Sequence, residues 1–319
     1  MMTTFSAMEM FARIQSMGRI IGRPYIVLAL VLAAVLNGCS LLRVGYDQAP
    51  TLVYWRLDRL AGFTPAQAPR VREAIGQWFA WHRREELPRY AEALARLQQE
   101  ILQDTTASRA CRWLDELSAW RDTAWDRAVP LLVPLARDLD ADQLERLAQR
   151  LQRDDEALRR EMLPEGLAAR AQAQVQRAVQ RAQRLYGRLD AEQRAWLAQA
   201  LAEARLDPEV WFAERQRRQA DLLETLARLR EHEAGPPQTQ AALHAVYRRA
   251  IRPASSSPAP QAAACGLLAG LHNRTTAAQR HTAARRLRDW EADLRALASD
   301  SPRPTEHQAQ SGAESPLPR

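Results

Sequence analysis

The pattern that most constrains this chain is a helix-start signature that occurs four times. In each copy a Thr or Asp precedes a Gln by three residues, and the four copies are Thr64/Gln67, Asp140/Gln143, Asp190/Gln193 and Thr276/Gln279. The Thr or Asp side chain can accept a hydrogen bond from the main-chain N–H of the Gln, whose amide reaches back to the N-cap N–H. Each copy therefore predicts the first turn of a helix. The intervals between the Gln residues, 76, 50 and 86, are unequal, which indicates recurrent capping and not a solenoid repeat.

The residues between these signatures also favour helix and give almost no strand signal. After residue 45 the β-branched residues are sparse and do not alternate with polar ones, whereas Ala, Leu, Arg, Gln and Glu dominate. Apolar residues recur at helical spacing, as in Leu94, Leu97 and Ile101. The sequence predicts an all-α fold, an irregular bundle of about eight to ten helices with no sheet.

Proline and glycine mark where the helices should break or kink. Breaks are expected at Pro88, Pro130 and Pro134, at 164–166 and at 235–237. Asp207 followed by Pro208 should open a further helix.

Composition changes along the chain divide it into five segments. They are a signal peptide (1–38), a helical domain (39–251), a flexible linker (252–260), a helical segment that packs back on the domain (261–299) and a disordered tail (300–319).

The N-terminal segment resembles a signal peptide for export. Residues 25–36, YIVLALVLAAVL, follow Arg13, Arg19 and Arg23, and twelve apolar residues are too few for a spanning helix of about 20. The next residues, Leu36 to Ser40 (LNGCS), resemble a bacterial lipobox. The resemblance implies lipid attachment at Cys39 and, because Ser40 is not Asp, retention in the outer membrane facing the periplasm. The alternative is an ordinary secretory signal with an incidental Cys.

Two further cysteines, Cys111 and Cys265, are the candidates for a disulfide. An oxidising periplasm would allow the bond, which would close a long loop. Two buried thiols are the alternative.

Residues 81–90, WHRREELPRY, concentrate the side chains that could do chemistry. His82 with Glu85 and Glu86 could contribute metal ligands, but di-iron bundles use paired Glu-x-x-His motifs, and here the order is reversed and no second copy exists. We expect His82 on the inward face with Trp78 and Trp81, and the charged residues outside. Glu86 would pair with Arg83 or Arg89.

The chain shows no catalytic motif. It lacks Gly-x-Ser-x-Gly, a Walker loop and His-Glu-x-x-His, and it contains only 12 Gly. The sequence therefore predicts a non-enzymatic protein with no catalytic residues, no metal and no cofactor.

Five arginines recur on one side of a helix rich in Ala and Gln. They are Arg170, Arg177, Arg181, Arg184 and Arg188. The stripe could contact an anion such as a lipopolysaccharide phosphate or an acidic protein. The alternative is a solvated face paired with the acidic residues 154–156. Nucleic acid is not expected, because the net charge of +7 comes from Arg mixed with Asp and Glu and not from a concentrated patch.

The nine tryptophans lie mostly within apolar stripes and are expected in the core. Trp55, beside Tyr54 and close to Cys39, could instead lie at a membrane interface.

Several segments together resemble a family of proteobacterial lipoproteins that contain a domain of unknown function. They are the lipobox, YWRLDRLAGFTPAQ, WHRREELPRYAEALARL, LDADQLERL, RLYGRLDAEQRAWL and PEVWFAERQRRQADLLETL. The likeness covers about residues 36–299 and implies an envelope location and a helical body, with no activity attached. The Leu-Asp-x-x-Gln segments are also similar to the Leu-Thr-x-x-Gln motif of small periplasmic helical stress chaperones, a likeness that capping alone explains.

These observations favour one function and leave two alternatives. We expect a lipid-anchored periplasmic protein that binds another envelope component, either a protein or a polyanion. The alternatives are a chaperone-like holder of unfolded envelope proteins and an enzyme with an unrecognised site.

Overall fold

The structure is a computed structural model that describes residues 41–204, 208–251 and 259–300. All regular structure in these ranges is helical, which confirms the all-α prediction. The segments are α1 (Leu41–Ala61), α2 (Gln67–Trp81), a π-helical turn (His82–Glu86), α3 (Leu87–Glu100), α4 (Ala107–Arg137), α5 (Ala141–Met162), α6 (Leu167–Tyr186), α7 (Ala191–Glu203), α8 (Pro208–Glu231), α9 (Pro236–Ile251), α10 (Ala259–His272) and α11 (Ala277–Ser299). The π-turn joins α2 to α3, so the described ranges contain ten separate helices.

The apolar core is divided among small clusters at the contacts between helices. Tyr54, Val71 and Ile75 join α1 to α2, and Ile101 with Leu287 joins the end of α3 to α11. Other clusters lie between α6, α7 and α10 and between α4 and α9. None of the helices in the described ranges is long and apolar enough to cross a bilayer.

The last two helices pack against the first half of the chain. The contact between α11 and α3 is the most extensive in the described ranges, and α10 packs on α4. Helix α10 begins at Ala259, inside the range expected for the linker. The signal peptide, Cys39, linker residues 252–258 and tail residues 301–319 lie outside the described residues.

Three of the four signatures form the predicted capping boxes, at Asp140, Asp190 and Thr276, and the fourth makes the same two bonds in the turn just before α2, which begins at Gln67. In the box that opens α5, the Asp140 side chain accepts from the Gln143 main-chain N–H at 2.7 Å, and the Gln143 side-chain oxygen accepts from the Asp140 N–H at 3.0 Å. The same two bonds occur at Thr64/Gln67, Asp190/Gln193 and Thr276/Gln279. These four helix starts are therefore local consequences of the sequence.

The boxes also pair in space, which the sequence interpretation missed. The side-chain amides of Gln67 and Gln143 donate to each other's oxygen at 3.2 and 2.7 Å. Those of Gln193 and Gln279 do the same at 2.7 and 2.9 Å. Each pair joins two helix starts that are far apart in sequence.

Every paired Gln uses its second amide hydrogen in the same way. It donates to the main-chain oxygen of the residue two positions before the N-cap of the opposite box. The four acceptors are Asp138 for Gln67, Gly62 for Gln143, Arg274 for Gln193 and Arg188 for Gln279. The same reciprocal arrangement thus occurs once in each half of the chain.

The predicted breaks at Pro130 and Pro134 are wrong, because α4 runs through both prolines from Ala107 to Arg137. Both prolines are exposed, whereas the adjacent Val129 and Val133, about 100° away around the helix, are buried. The carbonyls that lose an intrahelical partner therefore face solvent, where water can satisfy them. Burial of Val129 and Val133 holds the helix together.

We predict that Gln143→Ala lowers the free energy of unfolding by about 2–4 kcal/mol, because it removes a cap, takes both Gln143 bonds from the Gln67 amide and leaves the Gly62 carbonyl without its partner. The matched control is Gln149→Ala on the same helix, since Gln149 is exposed. Urea denaturation should show a loss below about 0.5 kcal/mol for the control. Equal losses in the two variants would contradict a structural role for the Gln pair.

Candidate functional site

The segment WHRREELPRY forms a widened helical turn. His82 to Glu86 are π-helical, and the Leu87 N–H donates to the His82 carbonyl, five residues back. Pro88 follows at the start of α3, and in a regular helix its ring would clash with the carbonyl of Arg84. Widening the turn relieves that clash, so the chain stays helical to Glu100. The break predicted at Pro88 is therefore wrong.

His82 lies inside an aromatic cluster that this turn and α1 form together. Its ring stacks on Trp78 at a centroid distance of 4.8 Å, and its Nδ1 lies 2.9 Å from the hydroxyl of Tyr46. Tyr90 meets the other side edge-on at 5.4 Å. Burial lowers the pKa of His82 to about 4 and raises the pKa of Tyr46 to about 12. Both groups are therefore neutral at neutral pH.

Glu86 is almost completely buried next to this cluster. Its Oε1 accepts from the exposed Arg89 at 2.9 Å, which decides between the two partners that the sequence had left open. Its Oε2 has no hydrogen-bond partner among the described residues. Burial and then the Glu86 charge raise the pKa of Tyr90. Arg83 instead pairs with Asp47 at 2.6 Å.

The described part of the chain holds no group of three or more His, Cys, Asp or Glu side chains arranged as metal ligands. Glu85 points outward and accepts from the Trp81 indole at 2.8 Å and from Arg84 at 2.9 Å. Most of the charged groups of WHRREELPRY thus contact each other or α1, and the Oε2 of Glu86 is the exception noted above.

A second histidine, His272, also contacts a tyrosine hydroxyl. No pattern in the sequence indicated that His272 would be buried. His272 at the end of α10 lies with Nε2 2.7 Å from the Gln103 carbonyl and Nδ1 2.9 Å from the Tyr186 hydroxyl. A carbonyl can only accept, so Nε2 carries the proton and Nδ1 accepts from Tyr186. Burial lowers the pKa of His272 and keeps this neutral form. The residue ties α10 to α6 and to the turn after α3.

Cys111 on α4 and Cys265 on α10 form a disulfide with their Cα atoms 5.2 Å apart. Cys265 is fully buried, and Ala110, Ala269 and Leu114 pack around the bond. The two cysteines are 154 residues apart in sequence, so the bond closes a long loop and fastens the C-terminal helices to α4.

Four of the five arginines of the predicted anion-contact face lie on α6, whereas Arg188 follows its end at Tyr186, because Gly187 (φ +79°) stops the helix. The five therefore do not share one environment. Arg170 pairs with Glu209 at 3.2 Å and donates to the Pro164 carbonyl, so it connects α6 to α8. Arg181, Arg184 and Arg188 are exposed and Arg177 is half-buried. Among the described residues, Arg177, Arg184 and Arg188 form no ion pair.

The acidic residues on α5 do not neutralise this face, contrary to the alternative drawn from the sequence. Asp154 pairs with Arg56 and Asp155 with Arg215, each at 2.6 Å. The opposite side of α6 buries Val175, Val179 and Ala182 against the cluster around Leu197. The guanidinium face of α6 therefore points away from the core. We name Arg177 and Arg184 on α6, together with the exposed Arg188 just after it, the α6 arginine face.

We predict that His82 makes the protein less stable as the pH falls from about 7 to about 4. In that range the unfolded chain binds a proton at His82 that the folded protein, with its pKa of about 4, does not bind. The free energy of unfolding should lose up to about 3 kcal/mol from this group. Urea titrations across the range should show a smaller loss for His82→Gln.

The matched control for this measurement is the exposed His281 on α11. His281→Gln should keep the full pH dependence of the parent protein. An identical pH dependence in His82→Gln and in the parent would contradict the burial of a neutral His82.

Comparison with known proteins identifies a family. No curated protein and no solved structure shows significant similarity to the chain. The profile of a family of unknown function, DUF6279, matches residues 63–246. The matched range begins at the first capping box and includes WHRREELPRY and the α6 arginines. It covers more than half of the chain, and the protein therefore belongs to the DUF6279 family.

Proposed function

We propose that this protein is a lipoprotein of a proteobacterial outer membrane, anchored on the periplasmic side, that binds an anionic envelope component and catalyses no reaction. The N-terminal sequence supports the anchor, because a basic segment and a twelve-residue apolar run lead to the lipobox-like LNGCS with Cys39. Several acyl chains would hold the protein firmly, since each buried methylene adds about 0.8 kcal/mol of membrane affinity.

The disulfide is the structural observation that best supports a periplasmic location. Disulfides form and persist in oxidising compartments such as the periplasm and are rare in the cytosol. The Cys111–Cys265 bond is enclosed by the packing of α10 on α4, so it belongs to the folded core and not to an exposed redox site. A core built around this bond fits a protein that folds after export.

The α6 arginine face supports an anionic partner. Within the described residues, Arg177 and Arg184 on α6 and Arg188 just after it form no ion pair, and the other face of α6 is packed. Guanidinium groups bind phosphate and carboxylate oxygens through paired N–H donors. A phosphate-bearing polyanion such as lipopolysaccharide matches both this chemistry and the proposed location.

The buried polar clusters support a non-enzymatic role. A general acid or base works best with a pKa near the working pH. Burial moves the pKa of His82 to about 4 and the pKa of Tyr46 to about 12, away from that range. Both side chains hold α1 against the π-turn, so their role in the fold is structural.

We predict that the full-length protein incorporates labelled palmitate in cells and that Cys39→Ser abolishes the label. Ser40→Ala is the control, because it changes the neighbouring residue and keeps the thiol that accepts the lipid. The label is read from the immunoprecipitated protein. Continued labelling of Cys39→Ser would refute lipid attachment at this residue.

We predict that replacing Arg177, Arg184 and Arg188 together with Gln lowers the salt concentration at which the full-length protein, held in neutral detergent, elutes from phosphocellulose. The matched control replaces Arg112, Arg153 and Arg230, which are exposed on other helices. Both variants lose the same charge, so a general electrostatic effect would shift them equally. Equal shifts would count against a specific α6 arginine face.

A further inference from the structure

Helix α1 carries an apolar strip that the fold leaves uncovered. Leu41, Val44 and Trp55 are 73%, 47% and 62% exposed, although large apolar side chains are normally covered. With Gln48 and Thr51 they recur at intervals of three and four residues, so they lie on one face of the helix. From Leu41 to Trp55 this face is about 21 Å long. We name these five residues the α1 strip.

The α1 strip carries no carboxylate, and its nearest charged residue in line is the exposed Arg59. The exposed Asp47 lies beside the strip and pairs with Arg83 at 2.6 Å. The strip therefore presents apolar side chains with an arginine at one end, and the charge of Asp47 beside it is offset by Arg83.

The opposite face of α1 is already occupied. Tyr54 is buried against Val71 and Ile75, and α1 packs on α2, α5 and α11. Tyr54 and its neighbour Trp55 thus have different roles, because one belongs to the core and the other faces outward. The helices that pack on α1 leave the strip free to meet another surface.

The position of α1 in the chain indicates which surface that is. Helix α1 begins at Leu41, two residues after Cys39, so a lipid on Cys39 would hold the start of the strip at the bilayer. Leu and Val insert favourably at the boundary between headgroups and acyl chains, and Trp is enriched at that depth. Arg59 would meet anionic headgroups at the far end.

We propose that the α1 strip lies along the bilayer surface and orients the whole helical body on the membrane. The proposal rests on the lipid anchor at Cys39. It makes α1 an interfacial helix with one face in the bilayer and the other in the protein core, so that the lipid and the strip act together as two membrane contacts.

The test is photo-crosslinking in cells from the full-length protein. The photoreactive amino acid p-benzoylphenylalanine replaces Trp55 in one variant and Val44 in a second. The control replaces Trp290 on α11, a Trp that is 38% exposed. After irradiation, mass spectrometry identifies what is attached at each position. Formation of the Cys111–Cys265 disulfide shows that each variant has folded, and palmitate labelling of the same samples reports the anchor independently.

The proposal predicts several-fold more phospholipid adducts at positions 55 and 44 than at position 290. Protein adducts at 55 and 44 would overturn it, since a single partner would identify a docking surface and many partners a holder of unfolded proteins. Palmitate on Cys39 without lipid adducts at the strip would refute membrane contact by the strip and would support lipid attachment at Cys39. Lipid adducts without palmitate would support the strip and refute the anchor at Cys39.

Discussion

Two pairs of glutamine amides, buried except for the half-buried Gln279, hold this fold together. Each Gln caps its own helix, binds its partner's amide and also satisfies a main-chain carbonyl at the turn before the partner helix. Gln143 and Gln193 are almost fully buried, so any unmade bond would leave a polar group without water, at a cost of about 1–3 kcal/mol. A helix cannot shift without breaking bonds at both starts. The pairs therefore fix the relative positions of distant helices, and small apolar clusters suffice to fill the space between them.

The other buried polar groups strengthen the same framework. The Tyr46–His82 and Tyr186–His272 pairs each join two helices through a neutral imidazole, and the Cys111–Cys265 bond fastens α10 to α4. His82 and the two cysteines, which stand out in the sequence as candidate chemical groups, thus serve as structural contacts. What remains for function lies on the surface, in the α6 arginine face and the α1 strip. The two surfaces suit the function proposed for a membrane-anchored protein, since one would bind anions and the other would meet the bilayer.

Predictions succeeded where the determining interactions are local. Capping boxes and helical spacing depend on residues three or four positions apart, so the helix starts at Asp140 and Thr276 could be read directly. Predictions failed where the outcome depends on exposure or on a distant partner. Pro130 and Pro134 do not break α4, because they face solvent while the neighbouring Val129 and Val133 are buried. Asp155 pairs with Arg215 and not with α6, because helix packing decides which arginine is within reach.

The sequence by itself determined the helical class and the positions of the reciprocal Thr/Asp–Gln bonds at helix starts, because each depends on neighbouring residues. Only the tertiary structure decided that the boxes pair two by two, that Cys111 meets Cys265 and that Trp55 is exposed while Tyr54 is buried. These outcomes join residues up to 154 positions apart, or depend on which side of a helix its neighbours cover. Local hydrogen bonding sets where helices begin, whereas the packing of distant helices sets which side chains are left to meet a partner.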